Sequence, residues 1–320
     1  MEDLEAPSLE GAFELIDKTF GIQKILADEG KYLVEPYYKQ SQYGYEKVHS
    51  EDASMHVALL EGDTYDPSGF YAQPDAVSSV ITELGANRVL ELGCGQAFNS
   101  RYLAKKHPDV EFVGIDLMPH HVKKARERAK GLTNITFMQG SYEDIFADIG
   151  TFDVIFAVET LCYADNPSTV AEGVFKHLNP GGKFLMHDGF RKANYDEFPD
   201  DMKLAQRLYE VGVVVQNGFY LEGIWQDALA SAGLDNVETT DLTKQTKAGL
   251  TRLLRIAMKF FHSPKYRLAS KVMPTYLVRN AVSGLLGPYI ILGDPNKPDF
   301  SKGSLSYQLI TAQKPSSSEL

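Results

Sequence analysis

Four carboxylates in this chain each stand at the end of an apolar run. Glu91 closes Arg88-Val-Leu-Glu, Asp116 closes Val110-Glu-Phe-Val-Gly-Ile-Asp, Glu159 closes Thr151-Phe-Asp-Val-Ile-Phe-Ala-Val-Glu, and Asp188 follows Lys183-Phe-Leu-Met-His. Such runs read as buried strands, and ligands of an open α/β sheet bind beyond the strands' carboxyl ends. Gly93 and Gly95 follow Glu91 at once. Without a Cβ they let the backbone turn sharply and bring a ligand against amide groups. Asp116 lies about twenty residues further on, the spacing at which a carboxylate accepts both hydroxyls of a ribose. His187-Asp188 offers a base for abstracting a proton, although neighbours on a strand point to opposite faces and only one of the two can meet a ligand. The residue expected at the rim is Asp188.

Two ligand classes use a glycine turn of this kind. A dinucleotide site wants G-x-G-x-x-G/A, so that helix and strand pack closely beside the pyrophosphate. Here the sixth position is Phe98. The stretch Glu91-Leu-Gly93-Cys-Gly95-Gln-Ala97 instead resembles the acid-x-G-x-G-x-G pattern of the Rossmann-like S-adenosylmethionine-dependent methyltransferases, with Ala97 in place of the last glycine. The later pieces keep that family's order from about Asp75 to Leu242. They are Val110–Asp116, Asn134–Tyr142, Thr151–Glu159, the turn and strand Asn179–Asp188, and Val237–Leu242. The resemblance implies that S-adenosylmethionine is held by Glu91, Gly93, Cys94, Gly95, Gln96, Asp116, Leu117, Ser141, Tyr142 and Ala157, with Ser141-Tyr142 at the adenine. No metal-ligand cluster is apparent.

The elements that must position these groups follow. Strands alternate with helices, so the expected fold is α/β: a doubly wound, seven-stranded, mainly parallel sheet with a helical N-terminal cap and a helical insertion before the last strand. The cap covers residues 1–78, the cofactor core 79–243, the insertion 244–300, the last strand 301–315 and the tail 316–320. A helical excursion is expected around Asp201–Gly212. Leu305–Ala312 alternates as a strand, and the resemblance makes it antiparallel at the sheet edge.

Composition fits an enzyme of the cytoplasm. An apolar share of 43% is ample for a core, and a net charge of -11 argues against nucleic acid as a partner. The two cysteines, one inside the glycine turn, suit a reducing compartment. The N-terminus lacks the basic start and apolar run of a secretory signal, and no segment has the length of uncharged residues a bilayer requires. Oligomeric state is not legible.

That charge is unevenly spread. Between Asp241 and Asp294 there is no acid, while nine lysines and arginines fall there. Leu250, Leu253, Leu254, Ala257 and Phe261 recur at helical spacing, with Arg252, Arg255 and Lys259 on the other face. Such a helix is read either as a lid with solvated or paired charges or as a peripheral contact with an anionic membrane. Asn280–Gly293 runs uncharged, too short and too Pro-broken to span.

Outside the cofactor motif, Phe156–Asp165 with Leu178–Lys183 resembles the same region of sterol and prenyl-diphosphate C-methyltransferases. Tyr37–Tyr45, His49-Ser50 and Ser54-Met-His56 resemble the cap of sterol and mycolic-acid-type enzymes, though a glycine-tryptophan step of the sterol enzymes is absent. The implied acceptor is an isoprenoid, sterol or other lipid-like molecule methylated at carbon. Methylating an alkene leaves a carbocation, which ring faces stabilise by roughly 0.5–2 kcal/mol each and a buried carboxylate stabilises or deprotonates. Glu159 is the expected carboxylate, with His56, Asp188 and Tyr163 as further catalytic candidates and Tyr37, Tyr38, Tyr43 and Tyr45 as further rings. The alternatives are N- or O-methylation of a small metabolite and a non-catalytic cofactor-binding scaffold.

Overall fold

The glycine turn sits at the middle of a seven-stranded sheet. The structure, a computed structural model, describes residues 5–50, 52–145, 149–269 and 272–316. Its strands are β1 (Arg88–Leu92), β2 (Glu111–Asp116), β3 (Ile135–Gln139), β4 (Phe152–Val158), β5 (Leu178–Arg191), β6 (Asp235–Asp241) and β7 (Leu305–Gln313). They lie in the order β3-β2-β1-β4-β5-β7-β6. β1 to β5 are parallel, and β7 runs antiparallel between β5 and β6, so it lies one strand in from the expected edge, which β6 occupies instead. β1 and β4 are buried on both faces, as continuous apolar runs must be. β6 is polar and exposed, which blunts an edge strand against pairing with other chains. The chain leaves β1 toward β2 and β3, then returns to the other side of β1 with β4. Strand order therefore reverses between β1 and β4, and the ends of β1, β2 and β4 face one crevice.

The helices form two groups. The cap contributes α1 (Leu9–Phe20), α2 (Ile22–Leu26) and α3 (Val34–Gly44), the last continuing into a π-helical turn at Tyr45–His49. Helices α4 (Ala72–Leu84), α5 (Phe98–Lys106), α6 (Pro119–Arg128) and α7 (Pro167–His177) clothe the sheet. After β5 come α8 (Asp200–Gly212) and α9 (Ile224–Ser231). The insertion before β7 holds α10 (Lys247–His262), the short α11 (Pro264–Ala269) and α12 (Thr275–Leu292). The cap, α8, α10 and α12 share one apolar core built around Ile16, Ile25, Leu208, Leu254, Val282, Leu286 and Ile290. The cap is thereby fused to the insertion although more than two hundred residues separate them in sequence.

This fusion bears on both readings of the insertion. The apolar stripe of α10 does not face outward: Leu250, Leu254, Ala257, Met258 and Phe261 are buried in that core. Three of the insertion's cations are also spoken for within the protein. Lys247 pairs with Asp63 at 2.8 Å, Arg279 with Asp28 at 2.6 Å, and Arg252 donates to the Val48 carbonyl while lying 4.7 Å from the Tyr65 ring centre. Nor does proline break the second apolar run, since α12 continues through Pro288. Among the described residues no helix is long and apolar enough to cross a membrane. Of the expected tail, 317–320 lie outside the described residues.

Candidate active site

The cradle is set by three residues with left-handed backbone. Gly93 and Gly95 have φ of 63° and 52°, and Ala97 follows at 66°. A Cβ on Gly93 would lie 2.1 Å from Thr160 Oγ1, and one on Gly95 would lie 2.1 Å from the Met55 methyl. A side chain is excluded at Gly93 by space and by φ, and at Gly95 chiefly by φ, since the Met55 methyl can swing aside. Ala97 accepts the same φ at a cost of about 1 kcal/mol. The Cys94 amide donates to the Ile115 carbonyl and locks the turn to β2.

The two acids of the cradle are held differently. Asp116 Oδ2 accepts from the Gly95 amide at 2.8 Å, while Oδ1 accepts from the Met118 amide at 2.9 Å and lies 3.2 Å from His121 Nδ1. Oδ2, with one donor, keeps a lone pair for a ligand hydroxyl. Glu91 turns back onto the first turn of α5, accepting from Asn99 Nδ2 at 3.0 Å, the Ser100 amide at 3.2 Å and the Ser100 hydroxyl. The helix N-terminus suits its charge, yet burial pushes its pKa up to about 7.

Above the cradle lies a cavity of about 390 Å³. Of the residues expected at the cofactor, Glu91, Gly93, Cys94, Gly95, Gln96, Asp116, Leu117, Ser141 and Tyr142 line it. Ala157 does not. It is one residue short of the strand end, packed in the core beneath the sheet edge with Leu92 and Ile155. Tyr142 is anchored by its hydroxyl to the Thr160 carbonyl at 3.0 Å. Sequence reasoning missed Met55, Thr160 and His121, which border the same space. Of these only His121, two residues into a helix that opens beside Asp116, carried any signal.

On the far side stands Glu159, at φ 47° immediately after β4. The left-handed backbone turns its side chain into the cavity. Its Oε1 accepts from the Val57 amide at 2.8 Å and from the Tyr307 hydroxyl at 2.9 Å. Burial, with some help from Asp188, pushes its pKa up to about 8. The donors come from the cap and from β7, far from Glu159 in sequence, which is why neither was foreseen. Tyr38 and Tyr163 line the cavity with their rings 6.3 Å apart and their hydroxyls 3.2 Å apart. Tyr163 is fixed in turn to the Val213 carbonyl at 3.0 Å.

The other candidates fare differently. Asp188 is not at the rim: it is buried, with Oδ2 accepting from the Cys162 amide at 3.0 Å and Oδ1 beside its own successor's amide. It orders the loop after β4 rather than reaching the cavity, and burial pushes its pKa up to about 6. His56 borders the cavity, but its Nε2 donates to the Phe70 carbonyl at 2.9 Å and its Nδ1 lies 3.2 Å from the Ser54 hydroxyl. Burial pushes it down to about 4, so it is a neutral, fixed ring. His187 is buried near His56 and pushed down to about 3. Tyr37 hydrogen-bonds Tyr45 and Asn280 inside the cap, and Tyr43 is 63% exposed, so neither supplies a ring to the cavity.

The glycine turn, the β2-terminal acid over it and this strand order define a Rossmann-like S-adenosylmethionine-dependent methyltransferase. The cradle that Cβ atoms would fill, the acid set for a ribose and the cavity volume all fit that cofactor. A family model described as a methyltransferase domain matches residues 85–252, more than half of the chain, and the chain belongs to that family. It is 24% identical over 224 residues to an S-adenosyl-L-methionine-dependent Diels-Alderase of Talaromyces variabilis, covering 66% of this chain and 75% of that one. It is 27% identical over 158 residues to the sterol 24-C-methyltransferase of Kluyveromyces lactis, covering 48% of this chain and 42% of the relative's length. A solved cyclopropane synthase of Mycobacterium tuberculosis shares the fold, with a TM-score of 0.69 at 15% identity, over 98% of this chain and 100% of that one.

Proposed function

We propose that this protein methylates a carbon of an uncharged isoprenoid, sterol or other lipid-like acceptor, with Glu159 stabilising the resulting cation or taking its proton. The observation that carries this reading is Glu159 itself: a buried carboxylate at the cavity wall whose two hydrogen bonds both fall on Oε1. Its other oxygen is left for the acceptor. The rest of the lining supports it. Five carboxylates and no lysine or arginine stand among the described lining residues, which suits a developing positive charge and disfavours a phosphorylated acceptor. Tyr38 and Tyr163 add ring faces.

When bound, S-adenosylmethionine supplies a methyl group on a positively charged sulfur, ready for attack by an electron pair. Gly93 and Gly95 admit it to the backbone, Asp116 takes the ribose, and Ser141 with Tyr142 border the adenine. Tyr163, tied to Val213, and Tyr38, tied to Tyr163, hold rigid walls that orient the acceptor. Glu159 is pre-set by Val57 and Tyr307, so its charge requires no rearrangement as the cation forms. The named activities of the sterol 24-C-methyltransferase and the cyclopropane synthase agree with an apolar acceptor. The proposed setting is the cytoplasm, at the periphery of a membrane.

An amine acceptor is the second reading, because an acidic, aromatic cavity also receives an ammonium group. O-methylation would need a base: His56 is tied through Nε2 to Phe70 and His187 is buried, which leaves His121, bordering the cavity with Nδ1 held by Asp116, as the one imidazole among the described residues there to take a hydroxyl proton. Extracts incubated with enzyme and methyl-labelled S-adenosylmethionine test the proposal. Label is expected in the organic phase. Label confined to water-soluble amines would replace it with the second reading.

A further inference from the structure

With the stripe of α10 turned inward, the insertion's outer surface is left to the hairpin that joins α10 to α12. Tyr266, Leu268, Val272 and Met273 are 54%, 69%, 88% and 37% exposed. Four large apolar side chains within eight residues make the densest exposed group of their kind among the described residues. Single exposed apolar residues need no explanation, but a cluster does. The same hairpin lies in the acid-free part of the chain, with exposed Lys259 and Lys265 before it and Arg267 and Lys271 within it by sequence.

We propose that this hairpin docks the protein on an anionic phospholipid surface. The apolar side chains enter the boundary between headgroups and acyl chains, and the lysines meet lipid phosphates. Charge complementarity selects this occupant: a protein of net charge -11 meets an anionic bilayer against a net repulsion, which a basic, apolar tip offsets locally. The tip also connects to the cavity. Tyr276, at the start of α12, donates its amide to Gln40 at 3.2 Å and packs its ring 6.3 Å from Tyr37. Tyr37 is the neighbour of the cavity-lining Tyr38. A docked hairpin therefore brings the cap that covers the acceptor site to the surface where an apolar acceptor dissolves. The docking rests on the exposed surface, and the lipid-like acceptor proposed above supplies its use.

Co-sedimentation with phosphatidylcholine vesicles, with and without phosphatidylglycerol, tests this at low and high salt. The full-length protein is expected to pellet with the anionic vesicles and to be released by salt. The pair Leu268→Asp and Val272→Asp should lower partitioning by about tenfold or more, as should Lys259→Glu with Lys265→Glu. Cofactor affinity and Tm should stay unchanged in both, since none of these side chains is buried. Failure of the parent protein to pellet with anionic vesicles overturns the proposal, as does equal pelleting of the parent and both variants. A shift in elution volume abolished by the variants, without vesicle binding, overturns it in favour of a second copy of the chain. The acceptor reading is scored separately: methylation of a micelle-presented lipid without vesicle binding would sink the docking alone. Vesicle binding with label only in soluble amines would sink the acceptor alone.

Discussion

The cavity has two halves built on opposite plans. The cofactor half is made by neighbours in sequence: Gly93, Gly95 and Ala97 within one turn, Asp116 bonded to Gly95 twenty-one residues away, and Glu91 bonded to Asn99 and Ser100. The acceptor half is made by distant segments. Val57 reaches Glu159 across 102 residues, Tyr307 across 148, and Tyr38 reaches Tyr163 across 125. A local motif fixes a cofactor that never changes. An assembly of remote loops can be altered piece by piece, which is how one cradle serves many acceptors. The two halves should therefore fail separately when perturbed.

The largest effect is expected on the acceptor side. Glu159→Gln keeps the shape and removes the charge, and turnover should fall about 10²-fold while calorimetric cofactor affinity stays within a few-fold. Because the carboxyl is pushed up to about 8, the parent rate should rise with pH through that value, and Glu159→Gln should flatten the limb. An unaltered turnover would show that charge at Glu159 takes no part.

The cradle should show the reverse pattern. Asp116→Ala removes an acceptor worth about 1.5–3 kcal/mol, so cofactor affinity should weaken about 10–100-fold while turnover at saturating cofactor changes little. Equal affinity in parent and variant would remove Asp116 from the ribose.

This contrast also governs what was legible. The alternation of strands and helices, the antiparallel sense of the last strand and nine of ten expected positions along the cavity could be read because each lies in a contiguous, patterned segment; the place of β7 inside β6 rather than at the edge could not. Ala157 was misplaced because a one-residue error at a strand end moves a side chain from the crevice into the core. Asp188, Tyr37 and Tyr43 were misplaced because their surroundings depend on which distant segment meets them. Asp188 finds the Cys162 amide, Tyr37 finds Asn280, and Tyr43 finds solvent. The stripe of α10 was legible, but not the α12 partner that covers it.

A smaller effect is expected at Asp188, which touches neither half directly. Asp188→Asn should lower stability by about 1 kcal/mol through the loop at Cys162 and reduce turnover less than tenfold. A loss as large as that of Glu159→Gln would make Asp188 part of the chemistry.

The smallest effect concerns pH and stability. Glu159 and Glu91 titrate above their ordinary value of 4.5, at about 8 and about 7. The folded protein thus holds protons that the unfolded chain has already released. The contribution of Glu159 and Glu91 is largest at the acid end and is lost as pH rises to about 8. Below 6.5 it is opposed by His56 and His187, whose depressed values favour the folded state as pH rises, so the net decline is expected in the window between about 6.5 and about 8. Thermal melts across that range should show the decline, and Glu159→Gln should lessen it. A Tm that climbs with pH through the window would contradict the buried, protonated carboxyls.

The claim that the acceptor half is built for a cation at carbon is tested most directly by the position of the transferred methyl. Product made with carbon-13 methyl-labelled S-adenosylmethionine should give a methyl resonance bonded to carbon, with one-bond coupling visible in a carbon-13-enriched acceptor. A labelled methyl on nitrogen or oxygen would contradict the account.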